Sequence, residues 1–307
     1  MTLDELLESS SVPTLIELTQ VELAKLVRKH KGLLKQRERD HAFWSATNEN
    51  LETSYEKLDE KEKELAKAYG IIQEDLSVAT QIQQALLPIP SGRMQKDLDL
   101  AVYHKQLAEV GGDYYDFFRT KSGGYALGVF DISGHGVSAA LVMTYLKAQF
   151  MMVMETLESP IEIVKRINEV SLPFLRAVKK YATVSFVVFH EDSLRYVCGG
   201  GFGLLVSGKR EYLFEKRDSF LGLRNKPFHG YELPFKKGDI LAVYTDGMVE
   251  AQNSEQEDYS VRRLNELIVQ NARKPAKTIV ELCVEDYQKF RAKDSDDITL
   301  MIMRKQT

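Results

Sequence analysis

The feature that most restricts the fold is a densely charged stretch with no proline between Pro13 and Pro88, carrying a seven-residue apolar repeat. With d taken as Leu51, Leu58, Leu65, Ile72, Ala79 and Leu86, the a positions are Asn48, Tyr55, Glu62, Tyr69, Leu76 and Gln83. This 3-4 spacing predicts a helix on the order of 60 Å long at about 1.5 Å per residue. Leucine at d favours a parallel two-stranded coiled coil, hence a homodimer through residues 44–88. Asn48, Glu62 and Gln83 at a, with Gly70 between them, weaken the seam; glycine alone costs about 1 kcal/mol relative to alanine. The same pattern also allows a single helix packed on the following domain. Ahead of it, residues 1–43 hold a shorter amphipathic pattern (Leu15, Leu18, Leu23, Leu26, Val27) that predicts one or two helices and no chemistry.

The helical pattern stops at "LLPIPSG", residues 86–92, and glycines and β-type runs begin after it. The expected organisation is therefore an N-terminal helical segment (1–43), a linker helix (44–88) and a mixed domain (89–307). Apolar runs in that domain predict strands at 98–105, 125–132, 182–190, 193–200, 202–208, 211–215, 239–246 and 298–304. Helical patterns cover 137–157, 160–179, 260–272 and 276–292. The strands follow one another at hairpin spacing rather than alternating with helices. The expectation is an α+β fold, an α/β/β/α sandwich of two mainly antiparallel sheets flanked by helices.

Bulk properties narrow the partners. A net charge of −4 gives no electrostatic footprint for nucleic acid or an anionic membrane. The most apolar run, Leu141–Leu157, is broken by Lys147, Gln149 and Glu155, so no membrane span is expected. The two cysteines, Cys198 and Cys283, form no CxxC, which fits a reducing compartment and argues against a cysteine-held zinc. The opening "MTLDELLESSS" lacks the basic-then-apolar order of a signal peptide. A cytoplasmic protein is expected.

Four acidic stretches lie at strand ends or the adjoining turns: "GGDYYD" with Asp113 and Asp116, "VFDISGHG" with Asp131, "VYTDG" with Asp246, and "SDDIT" with Asp296 and Asp297. Any one such aspartate reads as a turn residue capping local amides. Four together suggest a shared pocket, where carboxylates repel one another unless cations neutralise them. Oxygen donors without a histidine or cysteine cluster select Mg²⁺ or Mn²⁺ over zinc. Within "DISGHG" a Ser133–His135 nucleophile pair is disfavoured, because residues i and i+2 do not face each other and G-x-S-x-G is absent. A phosphate loop feeding a helix near Val137 lacks the P-loop lysine. An aspartate on a turn leaves Gly134 and Gly136 free to let the backbone pass close to a metal or substrate.

In order and interval, "EVGGDYYDFF", "VFDISGHGVSAAL", "GDILAVYTDGMVEAQN" and "DDITLMIM" resemble the PPM-type metal-dependent protein serine/threonine phosphatases, in the bacterial stress-response and sporulation (RsbU/SpoIIE-like) branch. The resemblance extends over about residues 76–307 and includes "DLSVATQIQQALLP". It implies two Mn²⁺ or Mg²⁺ ions between the sheets, activating a water against a phosphoserine or phosphothreonine of a partner protein, an anti-sigma-factor antagonist in this branch. Carried over by residue, Asp131 would bridge the metals and the Ile132 carbonyl would bind one of them. Asp246 and Asp296 would bind the other, with Asp297 as the neighbouring alternative. Asp113 would hold a metal-bound water or a further metal, and His135 would protonate the leaving group or support the turn. The chain departs from the branch at "CGGGFG", where an Ala-Gly-His-type turn is usual, and no arginine is placed for substrate phosphate. That departure leaves an inactive phosphatase-fold dimeric scaffold as the alternative. A diguanylate cyclase, suggested by "GGDYYDFF" alone, lacks the acidic fourth residue and leaves the later motifs unexplained.

Overall fold

The computed structural model describes residues 12–88, 90, 92–214 and 218–306. One helix, α1 (Val12–Leu86), runs for 75 residues and passes through positions 43–44 without a break. The amphipathic segment and the heptad segment are thus parts of one helix, where up to two separate helices had been expected ahead of the repeat. By contacts the chain forms two compact units, 1–73 and 74–307.

In the first unit the repeat residues Leu51, Tyr55, Leu58, Leu65, Tyr69 and Ile72 lie exposed on the helix surface. In the second, Leu76, Ala79 and Leu86 turn partly inward and Gln83 is buried. Leu86 and Leu87 pack against the core cluster built around Phe130, Phe150 and Phe186. The last heptads therefore face their own domain, and the exposed part of the seam ends before Leu76.

After a short helix, α2 (Gly92–Asp97), the elements run β1 (Leu98–Lys105), β2 (Tyr114–Arg119), β3 (Tyr125–Ile132), α3 (Val137–Met154), α4 (Pro160–Ala177), β4 (Ala182–Phe189), β5 (Ser193–Gly199), β6 (Phe202–Ser207) and β7 (Arg210–Leu213). They continue through β8 (Gly230–Pro234), β9 (Ile240–Tyr244), α5 (Asp246–Val249), α6 (Val261–Gln270), α7 (Ala276–Phe290) and β10 (Ile298–Lys305). Two five-stranded sheets result, β1-β10-β9-β6-β7 and β2-β3-β4-β5-β8. Every paired neighbour is antiparallel.

Three apolar clusters define the layers. Met94, Leu127, Val187, Tyr196, Leu241 and Met301 fill the space between the sheets. Helices α3 and α4 cover the β3/β4 sheet through Val142, Leu146, Phe150 and Ile167. Helices α6 and α7 cover the other through Leu264, Ile268, Ile279 and Cys283. This is the α/β/β/α sandwich expected from the strand spacing. Helix α3 is long and apolar enough to cross a membrane by length and composition, but its Ala139, Val142, Met143, Leu146 and Phe150 serve the core.

Two strands escaped the sequence pattern. β2 alternates buried Tyr114, Asp116 and Phe118 with more open residues, and the acid in the middle disguised it as part of a turn. β8 is short, opens on glycine, ends on proline and lies at a sheet edge, where proline is tolerated. The strand expected at 211–215 is β7, and Glu215 lies outside the described residues.

Candidate active site

The acidic motifs meet because antiparallel pairing returns the chain to the same end of each sheet. In one sheet Tyr114, opening β2, pairs with Phe130, so Asp113 and Asp131 flank one rim. In the other Tyr244, closing β9, pairs with Leu300, which brings Asp246 and Asp296 to the corresponding rim.

Asp113 ties the two sheets together. Its Oδ2 accepts the hydroxyls of Thr245 (2.7 Å) and Thr299 (2.8 Å), both from the opposite sheet's rim. Thr299 also meets Nδ1 of His104 at 3.0 Å. Burial pushes the His104 imidazole below its usual pKa, favouring the neutral ring. Burial raises the Asp113 carboxyl well above the usual range, and the charge of Asp131 adds to this.

Asp131, Asp246 and Asp296 act on one another electrostatically. Burial, then the charges of Asp246 and Asp296, pushes Asp131 up to about 8. Burial, then Glu250 and Asp296, pushes Asp246 up to about 6. Asp296 is likewise raised by burial, while exposed His135 lies close enough to lower it. Glu250, four residues after Asp246 and capping the short helix α5, is a further carboxylate facing this group that sequence reasoning missed.

Asp297 does something else. Its Oδ1 accepts the amide of Leu107 at 2.7 Å and its Oδ2 accepts those of Gly112 at 2.6 Å and Asp113 at 3.4 Å. The side chain is buried and occupied in holding the 107–113 loop. Asp116 is also elsewhere: it accepts Lys147 Nζ at 2.5 Å and the hydroxyl of Tyr114, beneath α3. Ser133 Oγ accepts the Tyr181 amide at 3.1 Å.

Gly112 is where the two rims close. A Cβ there would stand 2.8 Å from the Ile132 carbonyl oxygen and 3.0 Å from that of Gly134. Only a residue without a side chain permits that approach.

The donor set fits hard divalent cations. It consists of half-buried carboxylates raised by burial and then by neighbouring carboxylates, and a backbone carbonyl against a glycine, with all-oxygen chemistry. Among the described residues no three His, Cys, Asp or Glu side chains gather tightly enough to hold an ion unaided.

The chain is similar to known proteins in sequence and in fold. The family profile described as stage II sporulation protein E (SpoIIE) matches residues 121–306. The chain is 25% identical to phosphoserine phosphatase RsbU of Bacillus subtilis (strain 168) over 247 residues, 76% of this chain and 71% of that protein. It is 23% identical to phosphoserine phosphatase RsbP of the same organism over 184 residues, 57% of this chain and 45% of that one. Among solved structures, the SiaA-PP2C domain of Pseudomonas aeruginosa superposes with a TM-score of 0.69 at 22% identity, covering 77% of this chain and 98% of that domain. The PP2C phosphatase domain of the cell fate determinant SpoIIE from Bacillus subtilis, with a fragment of its regulatory domain, gives 0.57 at 17% identity, covering 67% and 63%. These superpositions establish the fold. With the profile spanning more than half of its length, the chain belongs to the stage II sporulation protein E family, the RsbU/SpoIIE-like branch of the PP2C-type serine phosphatases.

Proposed function

We propose that the chain removes phosphate from phosphoserine or phosphothreonine of a partner protein, with Mn²⁺ or Mg²⁺, two per site, held by Asp131, the Ile132 carbonyl, Asp246 and Asp296. The observation that carries this reading is the group of half-buried carboxylates at the rims of the two sheets, raised by burial first and, at Asp131 and Asp246, also by neighbouring carboxylate charge. Asp296 is chosen over Asp297 because both oxygens of Asp297 already accept backbone amides. Bound cations would lower the pKa of a water and neutralise phosphoryl oxygens. The chain's own contribution is positional. Thr245 and Thr299 hold Asp113 beside Asp131, and Asp297 fixes the loop that carries Gly112. His135, exposed beside Asp296, would hand a proton to the departing serine oxygen.

RsbU and RsbP are named as phosphoserine phosphatases, and the substrate we propose is a phosphorylated anti-sigma-factor antagonist in the cytoplasm. Regulation is proposed to run through α1. Residues 44–73 would dimerise through the exposed repeat. The C-terminal turns of α1 grip the site loop, where Gln83 Nε2 donates to Gly111 O (2.8 Å) and Thr80 Oγ1 to Glu109 O (2.8 Å). A shift of that helix would then move the Gly112 loop.

The test is Mn²⁺-dependent hydrolysis of an aryl phosphate and of a phosphoserine protein by the full chain. Turnover that survives in Asp131→Asn and Asp246→Asn would refute the assignment, and no turnover in the wild type would favour the scaffold alternative.

A further inference from the structure

We propose that Lys180 is a positioning residue that fixes the turn carrying Asp131 and Ile132 by clamping Ser133; this rests on the reading that those two residues face the metals. All three polar atoms of Ser133 are taken by two consecutive residues. Its amide donates to Tyr181 O at 2.9 Å, its Oγ accepts the Tyr181 amide at 3.1 Å, and its carbonyl accepts Lys180 Nζ at 2.7 Å.

The planarity of the peptide turns this clamp into an aiming device. The Ser133 N–H and the Ile132 carbonyl share one rigid plane and point in opposite directions. Anchoring the N–H on Tyr181 O therefore directs the Ile132 oxygen the other way, to the space a side chain at Gly112 would occupy. Lys180 secures the next plane through the Ser133 carbonyl, and its bond is the charge-assisted one of the three. The turn has need of outside restraint: Gly134 and Gly136 both have positive φ, and α3 starts at Gly136 without a side-chain cap.

The clamp is itself braced on both sides. Lys179, at φ 54°, lies two residues past the end of α4, and the Lys180 amide returns to the carbonyl of fully buried Leu175 at 2.9 Å. On the other side Ala182 and Leu221 exchange two backbone hydrogen bonds, and the Tyr181 ring packs on Phe220 at 5.3 Å. Phe220 in turn occupies the place of any side chain at Gly200, whose Cβ would fall 1.8 Å from its ring. The unusual "CGGGFG" turn thus admits the aromatic that braces the clamp.

The experiment compares the wild-type full chain with Lys180→Met and Lys180→Arg. It reads Mn²⁺ binding by calorimetry, amide hydrogen exchange over residues 131–136 without metal, and turnover across a Mn²⁺ titration. Loss of an outer partner of a metal site costs 10–100-fold in affinity, so Lys180→Met should bind Mn²⁺ about tenfold more weakly. Exchange in the turn should quicken, turnover lost at low Mn²⁺ should return as Mn²⁺ is raised, and Lys180→Arg should restore both properties. Wild-type affinity and wild-type exchange in Lys180→Met would overturn the proposal. So would a loss that arginine does not rescue, or faster exchange spread along all of α4. If the wild type takes up no Mn²⁺, the metal assignment fails separately, and exchange in the turn alone then decides for or against the clamp.

Discussion

Two sets of carboxylates, the buried Asp116 on β2 and the half-buried group at the rims of both sheets, are treated in opposite ways. Asp116 on β2 has a resident cation: Lys147 reaches it from α3 at 2.5 Å, and both side chains are largely buried. The Tyr114 hydroxyl completes the arrangement. At the strand rims Asp131, Asp246 and Asp296 face one another and Glu250, and the charges that act on Asp131 raise its pKa rather than lower it. The protein neutralises the first carboxylate from within its own sequence. The charges that act on Asp131 and Asp246 in the second set are all carboxylates. Internal charge balance, more than burial, separates the two sets.

Opposite responses to the same chemical change would sharpen this comparison most. Asp131→Asn should reduce Mn²⁺-dependent turnover by about a hundred- to a thousandfold, on the scale of losing a principal electrostatic stabiliser. The same substitution should raise the melting temperature of metal-free protein, because it removes a source of repulsion. Asp116→Asn should do the reverse. It leaves Lys147 buried without its partner, which costs about 3–5 kcal/mol of stability, yet Mn²⁺ affinity by calorimetry should persist. Equal melting shifts in the two variants would break the distinction.

Within one motif, Asp296→Asn and Asp297→Asn should also diverge. The first should weaken Mn²⁺ binding with little change in melting temperature. The second should lower stability by about 2–3 kcal/mol in denaturant titration, since charged acceptors of backbone amides carry about 1.5–3 kcal/mol each.

A smaller effect is the pH dependence of the metal-free chain. Asp131, raised to about 8, holds its proton more tightly folded than unfolded, where its value is about 3.9. Protons are therefore released on unfolding between those values, and stability should fall as pH rises from about 4 toward about 8. A scan with chelator should show a decline in melting temperature over that range, which Asp131→Asn flattens. The smallest change is expected in the first unit. Glu62→Leu replaces a charge in the exposed repeat, and it should tighten self-association in sedimentation equilibrium without altering the melting of the sandwich.

The sequence made the strand-end aspartates legible because glycine turns after apolar runs mark them locally. What the neighbouring aspartates do was hidden. Asp113 and Asp116 sit three positions apart at the start of β2, an odd spacing that sends extended-chain side chains to opposite faces. That much the motif could have shown, had β2 been recognised as a strand. Glu250 also had a signal, four residues after Asp246 across one helical turn. The roles of Asp297, Thr245, Thr299 and Lys180 had none, because each acts on a partner distant in the chain. The hydroxyl of Thr245, for example, meets Asp113 from 132 positions away. Such contacts are set by sheet register and cannot be read from local pattern. The long helix was legible in its period but not in its division of labour. A repeat cannot announce that Gln83 binds Gly111 while Leu65 stays on the surface.

The grip of Thr245 and Thr299 on Asp113 has a consequence for how the molecule comes apart. A carboxylate fastened across two stacked sheets cannot be released by fraying one of them, so this rim should open only when the whole sandwich does. Amides beside Asp113 should then exchange with solvent at the slow, global rate, whereas an ordinary surface loop would do so early.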